Sequence, residues 1–274
     1  MQTFALIIVL MFLATAGGCA SPDEGEARGG GDAGGEWRSI PLLKDNVLHP
    51  AWRQAGYGRM VVEKDGSLRT ECDPRGLGLL VYTAEALGDC QIRVVYRSQD
   101  PKSNSGVFVR VDEGILKRLD EAQPPAKRNA DGSLSPEGVD AMKQASEAET
   151  GSWYAVHHGY EVQIADAGDE LHRTGAVYSF TRAAAAPEKP RDQWREMVIT
   201  LDGEIVRVDV DGTRVSEFDA QAKDLPPRNA WYEPRRDHRR PTKGYFGLQT
   251  HNPGDVVYFK EVSVRPLPGG RDGD

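Results

Sequence analysis

The sequence, 274 residues long, predicts an all-β fold: a two-sheet antiparallel jelly-roll sandwich with one long, partly helical insertion. Two observations predict it. Short runs rich in β-branched and aromatic residues recur from residue 58 to residue 265, separated by Gly- and Asp-containing turn signals at close intervals. Against that pattern, residues 112–156 carry no strand signal over most of their length.

Taken in order, residues 58–63 and 67–72 flank Lys64-Asp65-Gly66, a hairpin turn in which Asp-Gly supplies the positive φ. Residues 78–83 form an apolar run. In residues 90–97 the alternation is clean: Ile92, Val94 and Tyr96 share one face, and Gln91, Arg93 and Val95 the other. Strands are expected at 106–111, 160–165, 175–180 and 195–201. Residues 205–210 and 214–218 pair around Asp211-Gly212, and 245–250 and 256–265 close the fold. Within the insertion, Ser135-Pro136-Glu137 reads as an N-cap with Pro at the first helical position, which opens a helix running to Ala148. A long excursion between strands is expected to form a lid or wall of a cleft, or else a plain surface loop.

Ahead of the strands lies an address. Residues 1–18 are uncharged, with an apolar run from Phe4 to Leu13 and small residues after it, as in a signal peptide. Cys19 follows Ala16-Gly17-Gly18 and resembles the acylated cysteine of a bacterial lipobox, although Ala16 stands where Leu is usual. The expectation is an exported lipoprotein, facing the periplasm or on the outer membrane, touching lipid only through its acyl chain, or otherwise secreted. Residues 19–36 read as a flexible Gly- and acid-rich linker, residues 37–267 as the folded domain and 268–274 as a disordered tail. A net charge of -8 argues against a nucleic-acid partner. With Cys19 acylated, Cys72 and Cys90 remain, and an oxidising compartment permits a disulfide without implying one.

Four stretches carry a resemblance: Asn104-Ser105-Gly106-Val107-Phe108-Val109-Arg110, Tyr160-Glu161-Val162-Gln163-Ile164, Thr174-Gly175-Ala176-Val177-Tyr178, and Gly244-Tyr245-Phe246-Gly247-Leu248-Gln249-Thr250-His251. In this order and spacing they resemble the 3-keto-disaccharide hydrolase family over most of residues 37–267. Thr250 departs from the family, which commonly has Asp there, and Asn252 replaces a Gly. The resemblance implies a concanavalin-like jelly roll acting on glycosides already oxidised at sugar C3.

Strand geometry points to the same stretches. Alternate side chains share a face, so Phe108 should point with Arg110, Glu161 with Gln163, and Gln249 with His251. If the three strands adjoin, a polar face results, with amides and acids to bond hydroxyls and Tyr178 or Trp153 to stack on a ring. Asn104, Gln163, Tyr178 and Gln249 are therefore expected to bind substrate. A C3 ketone acidifies the C2 proton, and loss of that proton can expel the glycosidic oxygen from C1. Such chemistry needs a base, an acid and an electrophile at the C3 oxygen. His251 and Glu161 are candidates for proton transfer, and Arg110 for polarising the ketone. Each also has a plainer reading: an edge His on a carbonyl, and a structural ion pair of Glu161 or Arg110. Glu161, His251, Asp166 and His172 include donors for a divalent cation, though without the spacing that marks a metal site.

His157-His158 and the run from Arg235 to Arg240 read as exposed loops, and Trp52, Trp194 and Trp231 as core or rim packing. The rival to an enzyme is a non-catalytic lectin-like module, since one fold hosts both. In a bacterial host fed a clickable fatty acid, wild-type protein should become labelled and Cys19→Ala should not.

Overall fold

The structure, a computed structural model, describes residues 35–269. Residues 1–18, expected to be a signal peptide, Cys19 and most of the expected linker, and residues 270–274 of the expected tail lie outside them. Nine strands precede the insertion: β1 (Arg38–Ile40), β2 (Leu43–Lys44), β3 (Val47–Leu48), β4 (Trp52–Gly56), β5 (Arg59–Val62), β6 (Leu68–Glu71), β7 (Gly78–Leu87), β8 (Cys90–Ser98) and β9 (Ser105–Val111). A 3-10 turn (Glu113–Lys117) and helices α1 (Pro136–Glu147) and α2 (Ser152–His158) follow. The chain then returns to strands: β10 (Tyr160–Ile164), β11 (Arg195–Asp202), β12 (Ile205–Val210), β13 (Thr213–Asp219), β14 (Gly244–Thr250) and β15 (Val257–Pro266).

Two antiparallel sheets make the jelly roll. One has eight strands, in the order β13-β12-β11-β8-β15-β6-β5 with β1 also on β15; the other has five, in the order β10-β9-β14-β7-β4. The alternation in β8 explains the packing between them. Ile92, Val94 and Tyr96 are fully buried and meet Val107, Val162 and Leu248 of the smaller sheet in one apolar core. Trp52 anchors an edge of that core, its ring 5.2 Å from Tyr82 and 5.4 Å from Phe246. Its indole N–H is satisfied by the Pro41 carbonyl at 2.9 Å.

The other face of the five-stranded sheet is not left to solvent. Leu79, Val81 and Phe108 form a second apolar cluster there with Ile115, Met142 and Trp153 of the insertion. Helix α1 starts where its cap indicates, with Ser135 Oγ accepting from Gly138 N at 3.1 Å. Helix α2 was not legible: it is 7 residues long, lacks a side-chain cap and contains β-branched and aromatic residues. It overturns the reading of His157-His158 as extended, exposed loop. His157 is completely buried, and its Nε2 lies 3.0 Å from Ser146 Oγ.

Two further expectations need correction. Residues 175–180 are not a strand, because Gly175 (φ 86°) and Ser179 (φ 64°) curl the chain. The segment still lies along the β10 edge through the Val162–Val177 bridge. Arg110 does not share a face with Phe108. The β9–β14 register slips between Tyr245–Val111 and Gly247–Phe108, placing an extra residue in β9, and Arg110 absorbs the bulge at φ 51°. Gly244 permits the close approach, since a Cβ there would stand 2.8 Å from Arg110 Cα. Arg110 is thereby turned to Asp89, its Nη2 3.2 Å from Oδ1, and its side chain is only 2% exposed. Asp89 also accepts from Gly203 N at 2.9 Å.

Cys72 and Cys90 are free thiols. Burial pushes them up to about 11 and about 12, so both stay protonated. Removing one partner of a buried ion pair strands the other. Arg110→Ala should therefore cost about 3 kcal/mol in urea unfolding without altering ligand binding at the site described below.

Candidate active site

The second face of the five-stranded sheet holds a cavity of about 510 Å³. Its polar side is built from Glu161 and Gln163 of β10, Gln249 of β14, His251 just beyond β14, Asn104 just before β9, and Tyr178 from the segment bridged to β10. Leu134, Met142, Trp153 and Val156 of the insertion, with Trp231 and Tyr232, line the rest. The residues expected to share a site thus converge, except Arg110. Lys and Arg are absent from the lining, so its ionisable groups suit a neutral, hydroxyl-bearing ligand.

Register explains the position of the Glu161 carboxyl group. Glu161 pairs with Phe108 and Gln163 with Gly106. A Cβ on residue 106 would collide with the Glu161 carboxyl oxygen, so glycine provides the space in which that group lies. Burial pushes Glu161 up to about 8, partly offset by a hydrogen bond with Gln249. With its amide nitrogen turned inward, Gln163 donates to Glu161 Oε1 at 2.9 Å and to the Ser105 carbonyl at 3.2 Å. The Oε1 atom of Gln249 is buried with no protein partner, an acceptor left for a ligand. At neutral pH Glu161 is a neutral carboxylic acid, able to donate a proton.

His251 is fixed differently. Its Nδ1 lies 2.8 Å from Asp255 Oδ2. Asp255 is itself held by backbone donors, Asn252 N on Oδ2 and Asn104 N on Oδ1, each at 3.0 Å. Donation from Nδ1 to Asp255 leaves Nε2 as the acceptor nitrogen, and the Asn252 amide also lies against Nδ1, at 3.1 Å. Asp255 was missed from sequence. The signal was present in His251-Asn252-Pro253-Gly254-Asp255, a Pro-Gly turn able to fold Asp back on His. Tyr178 remains a phenol, because burial, and at high pH the ionised Glu161, push its hydroxyl well above the usual range.

Other candidates lie apart. Asp166 accepts from Thr174 Oγ1 at 2.7 Å and lines a separate hollow, while His172 pairs with Asp169 at 2.8 Å, so neither joins Glu161 and His251. Trp194 packs beneath Arg97 and Lys260, and Trp231 contributes to the cavity wall. Within the basic run, Arg235 pairs with Glu149, and Arg236 and Arg240 bond backbone carbonyls and cover the Phe180 ring.

A two-sheet jelly roll with a neutral, amide-lined cavity on one sheet face defines a carbohydrate-related domain. The chain belongs to the family described as the 3-keto-alpha-glucoside-1,2-lyase-like domain, which it matches over residues 39–265. This is the family indicated by the four sequence stretches. Among solved structures, it is similar to two from Parabacteroides distasonis ATCC 8503 that carry a provisional glycosyl hydrolase name. One is 20% identical with a TM-score of 0.52, covering 85% of this chain and 100% of that one. The other is 16% identical with a TM-score of 0.52, covering 82% and 100%. At such identities the likeness establishes the shared fold. None of the curated proteins matches the chain.

The raised Glu161 acidity has a thermodynamic consequence. Its unfolded value is near the ordinary 4.5, so the folded state holds the extra proton between there and about 8. That contribution to stability is fully present below the unfolded value and is lost as pH rises through the folded one. Urea midpoints measured from about pH 5 to 9 should show this decline in wild type and not in Glu161→Gln. A carboxyl infrared band titrating near 8 in wild type alone would identify the group.

Proposed function

We propose that the chain is an exported enzyme, anchored through acylated Cys19, that cleaves 3-keto-glycosides or 3-keto-disaccharides by elimination and subsequent hydration. The observation that carries this reading is the pairing, in one cavity, of a carboxylate-backed imidazole with a carboxyl group protonated at neutral pH. Elimination needs such a base and such an acid together.

In this mechanism His251 Nε2 takes the C2 proton, made acidic by the adjacent ketone, and Asp255 stabilises the resulting imidazolium. The electron pair moves toward the C3 oxygen as an enolate, where the Tyr178 hydroxyl and the Asn104 amide donate hydrogen bonds. Collapse of the enolate forms the C1–C2 double bond and breaks the bond from C1 to the glycosidic oxygen, which leaves with the Glu161 proton. Water then adds across the double bond: its hydroxyl joins C1 as Glu161 takes its proton, and the His251 imidazolium returns a proton to C2, so the net result is hydrolysis and both groups are restored. Arg110 has no part in these steps, because it is held by Asp89 outside the cavity. The substrate is an oxidised sugar, supplied by a reaction class that converts a C3 hydroxyl to a ketone.

Purified protein incubated with 3-keto-trehalose or a 3-keto-glucoside, with and without added divalent cation, should release free sugar. His251→Ala and Glu161→Gln should each lower kcat/KM by roughly 10²- to 10⁴-fold. Binding of keto-glycosides without release from any of them would overturn catalysis and leave a lectin-like module.

A further inference from the structure

A second cluster of ionisable groups lies outside the cavity, where the insertion meets residues 235–240. Glu149, in the turn between α1 and α2, has a left-handed backbone (φ 54°), an uncommon conformation for a residue other than glycine. Its carboxylate receives His158 Nε2 on Oε2 at 2.7 Å and His238 Nε2 on Oε1 at 2.7 Å. Arg235 Nη1 also donates to Oε1, at 2.8 Å. The three side chains are largely buried, with exposures of 16% for Glu149 and 20% for each histidine. Their ligating atoms all lie within 4.8 Å of one another.

The histidine geometry accommodates an ion as well as a hydrogen-bonded clamp. His238 meets a carboxylate at each nitrogen, Glu149 at Nε2 and Asp237 Oδ1 at Nδ1, the latter 3.3 Å away. A neutral imidazole can donate from only one nitrogen, so meeting both carboxylates takes either an imidazolium or a cation at one nitrogen. A cation on Nε2 leaves Nδ1–H for Asp237, the carboxylate–histidine–metal arrangement in which the outer carboxylate orients the ring. His158 is also oriented: its ring stacks on Tyr154 at 4.1 Å, and the Tyr154 hydroxyl is fixed by Asp112 at 2.6 Å. Two imidazoles and one carboxylate form a donor set suited to zinc. Ligand atoms around a tetrahedral zinc stand roughly 3.3 Å apart. The 2.7 Å contacts would open by about half an ångström, a movement side chains can make.

We propose that Glu149, His158 and His238 form a binding site for a divalent transition-metal ion of the zinc type. The ion ties the insertion to the 235–240 segment, with Arg235 retained on the carboxylate as its second partner. Walls of the cavity follow directly from these segments: Trp153 of α2 packs on Trp231 at 5.6 Å. Metal occupancy would brace that wall.

The test uses the full chain stripped with EDTA and titrated with Zn²⁺ by calorimetry and with Co²⁺ by visible absorption. Wild type should bind an equivalent that develops the absorption of four-coordinate Co²⁺. His158→Gln and His238→Gln, checked for native circular dichroism, should each weaken this uptake by about 100-fold. Glu161→Gln and His251→Ala should retain it, which separates the site from the cavity. X-ray absorption of Zn²⁺-loaded wild type provides a variant-independent reading and should show two imidazoles bonded to the ion. Absence of uptake by wild type, uptake unchanged in His238→Gln, or a coordination shell without imidazole would each overturn the proposal.

Discussion

The outer face of the five-stranded sheet depends on the Glu161 carboxyl group lying in the space that Gly106 leaves open. That group lies half-buried among Gln163, Gln249 and Tyr178 with the insertion opposite, and this burial pushes it up to about 8. Two of these neighbours follow from strand register: Gln163 pairs with Gly106, and Gln249 reaches the carboxyl group from β14. A side chain at position 106 would displace the carboxyl group and remove the reason for the remaining polar groups to face inward.

The fold was legible where alternation was strong. The faces of β8 came directly from Ile92, Val94 and Tyr96, and the α1 start from Ser135-Pro136, because these signals are local. The polar pairs Glu161–Gln163 and Gln249–His251 were legible for the same reason. Arg110 was not, because a bulge is a property of two strands in register and breaks the two-residue period within one of them. Short elements were lost too. Helix α2 and β4 have weak intrinsic preferences and exist because the core on each side of the smaller sheet accepts Trp153 and Trp52.

Tertiary structure also gives meaning to residues that composition could only describe as charged loops. His158, His238 and Arg235 are distant in sequence, yet all meet the carboxylate of Glu149. Glu149 holds a strained backbone angle at the turn that brings α2 back onto the sheet. The insertion is therefore joined to the body through polar contacts at one end and through Ile115, Met142 and Trp153 along the sheet. It is a packed component of the molecule.

The bulge at Arg110 has a consequence beyond the loss of one expected side chain. By turning the guanidinium to Asp89, it leaves the cavity lining without a fixed positive charge, in a chain whose net charge is -8. Sugars bearing uronate, sulfate or phosphate groups then meet no counter-charge at the site and are repelled by the overall field. Capture of a neutral glycan gains nothing from long-range steering and is indifferent to ionic strength.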